Sequence, residues 1–267
     1  LKRTVAQIQT VSFDKLNPLA IKAPLNNNAV ALIIGVEDYE NTFTAMFANK
    51  DAQLFNDFAH QAFGVPQYNI KLLTNTNARR NNTLKTIATW LPKVIKEHKT
   101  DFYLFFSGHG LASSDGKDLY LLPYDGYPEI LEESSLLRNK IFESIANLNP
   151  RSVTVFLDTC YSGTTRGTDM LIASRPIAIV AKEQAIPDNF TVFTAAAGDQ
   201  TAKPLEEAKH GLFSYFLMKG LEGEADKNKD QQITNGELIA FIYKNVSRQA
   251  NQTPQLVGNT SRILVQW

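Results

Sequence analysis

Three short apolar runs, residues 29–35, 102–106 and 153–157, constrain this chain more than any other feature. None alternates apolar with polar residues, as a strand with one wet face would. Each therefore reads as a strand buried on both faces, the mark of a mostly parallel sheet covered by helices. Stretches with helical spacing lie between them. Residues 49–63 place Ala52, Phe55, Ala59 and Ala62 or Phe63 on one face and stop at Gly64 and Pro66. Residues 83–96 predict a second helix, with Asn81 or Asn82 as its N-cap and a kink at Pro92. Further strands are expected at 69–73 and 190–196, a hairpin around 119–122, and helices at 136–148, 212–221 and 236–248. Strands alternating with helices give the α/β class.

At ~100 to 200 residues per domain, 267 residues allow one large domain or two small ones. The alternation runs without a break from residue 29, so one large domain is expected, preceded by a turn-rich arm over 1–28. Lys plus Arg total 27 and Asp plus Glu total 27. With no excess positive charge to neutralise phosphates, neither nucleic acid nor an anionic membrane is expected as a partner. The longest apolar run, 29–36, is far short of the ~20 residues that span a bilayer. The single cysteine, Cys160, excludes an intrachain disulfide and cysteine-rich zinc sites. It mildly favours a reducing compartment, and a cytoplasmic location is the expectation. The chain starts at Leu1 without a charged-then-apolar leader, so no targeting is legible.

Ligands of open parallel sheets bind outside the carboxyl ends of the strands. The run 102–106 ends in Ser107-Gly108-His109-Gly110, and 153–157 ends in Asp158-Thr159-Cys160-Tyr161-Ser162-Gly163. A thiol with a pKa of ~8.5 needs an imidazole to activate it and later to protonate a leaving amine. His109 and Cys160 are placed for those roles, with the backbone amides of Gly110 and Cys160 as candidate donors to an oxyanion. A lone cysteine is more often an apolar core filler; what separates this one is that it and His109 end equivalent strands. They lie 160 − 109 = 51 positions apart, near the ~50 of caspases. Of the other histidines, His60 and His98 read as helix residues and His210 as a loop residue.

The paired strand-end motifs resemble the caspase-like cysteine peptidases, with the bacterial and metacaspase-type branch the nearest in pattern. Asn49-Lys50-Asp51-Ala52, Leu122-Pro123-Tyr124-Asp125 and His210-Gly211-Leu212-Phe213-Ser214 support the resemblance, which spans about 29–246. It implies the caspase-haemoglobinase fold, with a large-subunit-like part at 29–163, a linker loop at 164–189 and a small-subunit-like part at 190–267. Asp158-Thr159-Cys160 replaces the Gln-Ala-Cys of animal caspases, so their aspartate specificity does not carry over. Tyr161 stands where many metacaspases have histidine.

Residues two apart on a strand face the same side, so Asp158 points as Cys160 does and Ser107 as His109 does. A strand-end carboxylate is costly to desolvate without a cation, and a substrate Arg or Lys would supply one. Similarity to metacaspases implies that Asp51, Ser107 and Asp158 line the pocket for the residue before the scissile bond, with Asp125 close by. A strand-end aspartate can equally cap local amides. A basic preference would make Arg166, Arg175 and Lys182 candidate self-cleavage sites, against the alternative of solvated loop charges.

Asp226, Asn228, Asp230, Gln232, Thr234 and Glu237 fall at positions 1, 3, 5, 7, 9 and 12 of an EF-hand-type loop. Gln231 stands where that loop normally has glycine. Calcium is the one cofactor this pattern suggests, and the resemblance requires none. The metacaspase calcium site is a different one and is incomplete here, because Gly126 follows Asp125.

The expected activity is therefore a cysteine endopeptidase acting after Arg or Lys on a peptide or protein, in a monomer. The competing expectation is a noncatalytic caspase-like regulatory module. A nucleotide-binding module is disfavoured because the loop Gly35-Val36-Glu37-Asp38 is acidic and no phosphate-binding glycine pattern occurs.

Overall fold

A computed structural model describes residues 13–159, 186–197 and 200–267. Cys160, Arg166, Arg175 and Lys182 lie outside the described residues. In chain order the elements are β1 (Ala29–Gly35), α1 (Ala48–Gln61), β2 (Ile70–Thr74), α2 (Arg80–Lys85), α3 (Leu91–Val94), β3 (Asp101–Ser107), β4 (Gly110–Ala112) and β5 (Leu119–Leu121). They continue with α4 (Leu131–Ser134), β6 (Leu136–Leu137), α5 (Arg138–Ala146), β7 (Ser152–Asp158), β8 (Phe190–Thr194), β9 (Pro204–Leu205) and β10 (His210–Gly211). The last are α6 (Leu212–Lys219), β11 (Gln232–Thr234), α7 (Asn235–Gln249), β12 (Gln255–Gly258) and β13 (Ile263–Gln266).

The central sheet has the order β12-β8-β7-β3-β1-β2. All its pairings are parallel except that of β12 with β8. The apolar runs are buried on both faces because each face has its own layer of helices. Ala29, Ala31, Ile33, Phe105, Phe156 and Phe193 point into one core, with α1, α6 and α7. Val30, Leu32, Ile34, Phe102, Leu104, Phe106, Val153 and Val155 point into the other, with Ile87, Leu91 and α5. Burial of large rings dominates: Phe55 of α1 stacks on Phe105 at 4.3 Å between centroids.

Gly35 lets α1 sit directly on the end of β1. A Cβ there would lie 2.4 Å from the Ala52 methyl and 2.5 Å from the Ala48 carbonyl oxygen. Of the arm, residues 13–28 are described, and they are more deeply packed than their turn-rich composition suggests. Leu16 and Ile21 are buried in the core, and Phe13 meets Tyr215 edge-on at 5.5 Å.

The stretch from residue 80 to residue 98 departs from the sequence expectation. The helix expected at 83–96 starts at Arg80, where the Asp125 carboxylate accepts from the Arg80 amide at 2.7 Å, so neither Asn81 nor Asn82 caps it. A π-helical turn at Thr86–Trp90 precedes Pro92, absorbing the missing proline donor without ending the helical run. His98 lies in a turn with φ +56°, outside any helix.

Candidate active site

β3 and β7 run in register, so Ser107 is the partner of Asp158 at the carboxyl end of the sheet. The Gly108 amide donates to the Asp158 carbonyl at 3.3 Å, which ties the start of the histidine loop to the end of β7. β7 then leads to Thr159, a buried residue, immediately before Cys160.

His109 is fully buried. Its Nε2 lies 2.8 Å from the Phe43 carbonyl oxygen. A carbonyl can only accept, so Nε2 carries the hydrogen and Nδ1 is the basic nitrogen of the neutral ring. The Tyr39 ring stacks on the imidazole at 4.8 Å between centroids. Beyond His109 the chain enters β4, whose Gly110 opposes Leu121 of β5. The flanking bond runs from the Leu122 amide to the His109 carbonyl at 3.0 Å. Gly110 and Leu121 are therefore a non-hydrogen-bonded pair, and the Gly110 amide points away from β5.

The acidic residues expected in the pocket are not all gathered together. Asp51, in the first turn of α1, is fully buried. Its Oδ1 accepts from His210 Nδ1 at 2.6 Å and its Oδ2 from the Gly211 amide at 2.8 Å. Asp158 is also fully buried, and its Oδ2 accepts from Ser214 Oγ at 2.5 Å. Gly211 and Ser214 belong to the start of α6, so one turn of that helix binds both carboxylates. A helix N-terminus favours negative charge, which adds to these bonds. Asp125 belongs to another cluster: its carboxylate caps α2 and lies 3.8 Å from the Arg79 guanidinium. Arg79 in turn holds Glu40 with two bonds of 3.0 Å.

The loop expected to bind calcium is held by its own side chains. Asp226 accepts from the amides of Lys229 and Gln231 at 2.8 and 3.0 Å, and Asp230 from that of Gln232 at 2.9 Å. Asn228 bonds Asp230 at 3.0 Å. Glu237 forms a capping box with Thr234 at the start of α7. Gln231 adopts φ +63°, the left-handed conformation that glycine usually serves at this position. Among the described residues no three His, Cys, Asp or Glu side chains are gathered to hold a metal. Of the residues expected to hold calcium, Asp226, Asn228, Asp230, Gln232 and Glu237, the side chains of Asp226, Asn228, Asp230 and Glu237 make hydrogen bonds within the loop.

A family model described as the caspase domain matches residues 28–264. The chain belongs to the caspase domain family. This caspase domain is similar in structure to protein GSU0716 from Geobacter sulfurreducens, with a TM-score of 0.61 and 17% identity over 90% of this chain and 97% of that one. It is also similar to caspase-1 from Spodoptera frugiperda, with a TM-score of 0.59 and 12% identity over 97% of each chain. Among curated proteins no sequence match is found. The caspase domain family is one of cysteine peptidases, and the sheet with its flanking helices is the caspase fold.

Sequence reasoning on this caspase domain missed four contributors: His210, Ser214, Tyr39 and the Phe43 carbonyl. His210, read as a loop residue, is a buried partner of Asp51 in a short strand. The only local signal was its place in the His210-Gly211-Leu212-Phe213-Ser214 motif. Nothing local marks Tyr39 or Phe43, which lie 70 and 66 positions before His109. Among the described residues no helix is long and apolar enough to cross a membrane.

Proposed function

We propose that this caspase domain is a cysteine endopeptidase that cleaves after Arg or Lys, with His109 and Cys160 as its dyad. The observation that carries the reading is the bond from His109 Nε2–H to the Phe43 carbonyl. It leaves Nδ1 as the proton acceptor at the sheet end where β7 delivers the residue before Cys160.

His109 Nδ1 takes the Cys160 proton, and the thiolate sulfur attacks the scissile carbonyl carbon. The Gly110 amide, with that of Cys160, receives the negative oxygen of the tetrahedral intermediate. As the C–N bond breaks, the imidazolium returns its proton to the leaving amine and an acyl-enzyme thioester remains. Water then attacks the thioester carbonyl with His109 as base, releasing the carboxylic acid and the Cys160 thiol.

Asp158 is the residue we assign to the substrate cation, with Ser107 beside it in register. Asp51 is bonded to His210 and to the Gly211 amide, and we assign the charge that selects Arg or Lys to Asp158. A substrate guanidinium there would form a charge-assisted hydrogen bond to the carboxylate. Arg166, Arg175 and Lys182 would then be targets of self-processing.

A second reading has its own support. Asp51 and Asp158 are both fully buried and bonded to the start of α6, as in a latent or regulatory module whose pocket is closed.

Fluorogenic peptides ending in Arg, Lys or Asp, offered to the protein and to its Cys160→Ala variant, separate these readings. Release from Arg or Lys that is lost in the variant is the expected result, with loop cleavage seen on a denaturing gel. Release only from Asp would overturn the pocket assignment, and no release at all would favour the closed module.

A further inference from the structure

An imidazole that shuttles a proton must keep one tautomer and one orientation, because a ring turned over presents a donor where an acceptor is required. In this domain the loop between β1 and α1 controls His109 at three points. The Tyr39 ring covers one face of the imidazole, 4.8 Å away and 28° from parallel. The Tyr39 oxygen accepts from the His109 backbone amide at 2.7 Å, and its hydrogen points to the Leu122 carbonyl at 3.4 Å. The Phe43 carbonyl receives Nε2–H at the ring edge.

The hydroxyl has a place only because residue 108 is glycine. A Cβ on Gly108 would lie 2.5 Å from the Tyr39 oxygen, and the backbone there has φ +155°. The loop itself is fastened on both sides of Tyr39. The Glu40 amide donates to the Tyr124 carbonyl at 3.0 Å, and Arg79 holds the Glu40 carboxylate. The Glu37 amide donates to Asn75 Oδ1 at 2.9 Å, and the Glu37 carbonyl accepts from Ala45 at 2.9 Å.

From this geometry we infer that Tyr39 is a positioning residue for His109, keeping the ring in the Nε2–H tautomer with Nδ1 as base. The inference rests on the dyad reading above for its consequence in catalysis, but the tautomer it assigns is a property of the resting protein. Tyr39 acts through the histidine and is given no contact with substrate. Phenylalanine would supply the ring face alone; the hydroxyl also satisfies a buried backbone donor that would otherwise lose its partner. Leucine would supply neither.

The test uses Tyr39→Phe and Tyr39→Leu with two readouts. On an Arg peptide, kcat should fall about tenfold in Tyr39→Phe and roughly a hundredfold in Tyr39→Leu, the scale expected when a catalytic group is misplaced. KM should stay within about twofold, since no substrate contact is removed. The second readout is the nitrogen NMR of labelled histidine. With four histidines in the chain, His109 is assigned by comparison with His109→Ala. The wild type should show protonated Nε2 and unprotonated Nδ1, with ring protons displaced by the Tyr39 face; Tyr39→Leu should show a mixture of tautomers and lose that displacement.

An unchanged kcat in Tyr39→Leu, or a loss seen only in KM, would overturn the inference, as would an unchanged tautomer. Hydrolysis that survives Cys160→Ala, or a wild type without activity, would instead sink the peptidase reading. The NMR result would still decide for or against Tyr39.

Discussion

His210 Nδ1 lies 2.6 Å from Asp51 Oδ1, a contact between residues 159 positions apart that joins α1 to the strand entering α6. Both side chains are buried, and Asp51 Oδ2 is held by the next backbone amide, that of Gly211. The pair fastens the start of α1 to the segment that leads into α6.

Removing His210 takes a hydrogen-bond donor from a buried carboxylate. His210→Phe should destabilise the fold by about 3 kcal/mol, read as a lower midpoint in urea with an unchanged slope. His210→Gln, which keeps an N–H donor, should cost less. Equal loss in both would mean that the contact is packing alone.

Asp158→Asn keeps an acceptor for Ser214 Oγ and removes the charge. For an Arg peptide kcat/KM should fall by about 3 kcal/mol, roughly a hundredfold. A peptide with citrulline in place of Arg should be cleaved almost as well by the variant as by the wild type. A variant that still strongly prefers Arg over citrulline would place the specificity elsewhere.

Gly35→Ala should push α1 off the end of β1, because the new methyl meets Ala52 and the Ala48 carbonyl. The expected loss is about 2 kcal/mol, measured by denaturation. Activity should fall as well, since Asp51 rides on the same turn of α1.

At the opposite end of the sheet Asp101 is mostly buried, which opposes its ionisation. Bonds from Arg151 and from Ser152 Oγ outweigh that and hold its carboxyl below the usual carboxylate range. A lowered folded pKa stabilises the protein above the unfolded value of ~3.9, and the benefit fades as pH falls through the folded value. Arg151 is 60% exposed, so solvent screening limits Arg151→Met to about 1 kcal/mol near neutrality. Denaturation midpoints of variant and wild type should converge as pH falls through the lowered folded value of Asp101; a gap that persists once the carboxyl is protonated would assign the effect to lost packing.

Glu237→Ala removes one side of the capping box of α7 and should cost about 1 kcal/mol. Because the carboxylate is engaged with Thr234, the same loss is expected in calcium and in chelator. A loss that appears only with calcium would instead return Glu237 to the role of a metal ligand.

The strands were legible because their signal is local. Residues 102–106 are wholly apolar and 153–157 are apolar except for Thr154, and β3 and β7 extend them by a residue at each end. The edge strand β12 gave no such signal: Val257 is 40% exposed, and among the described residues β12 pairs with β8 alone. β13 is likewise short, and it pairs antiparallel with β11 across a register shift at Ile233/Thr234.

Residue order alone determined the α/β class, the order of the central parallel strands and the main helices, and the placement of His109 and Asp158 at strand ends, since periodicity and strand termination act over a few neighbours. Tertiary structure decided which polar groups meet. Asp125 caps α2, His210 and Gly211 occupy Asp51, Ser214 binds Asp158, and Tyr39 with Phe43 sets the His109 ring. Each of these contacts joins residues 45 or more positions apart. The burial that gives such hydrogen bonds their strength exists only once the sheet and helices have closed around them.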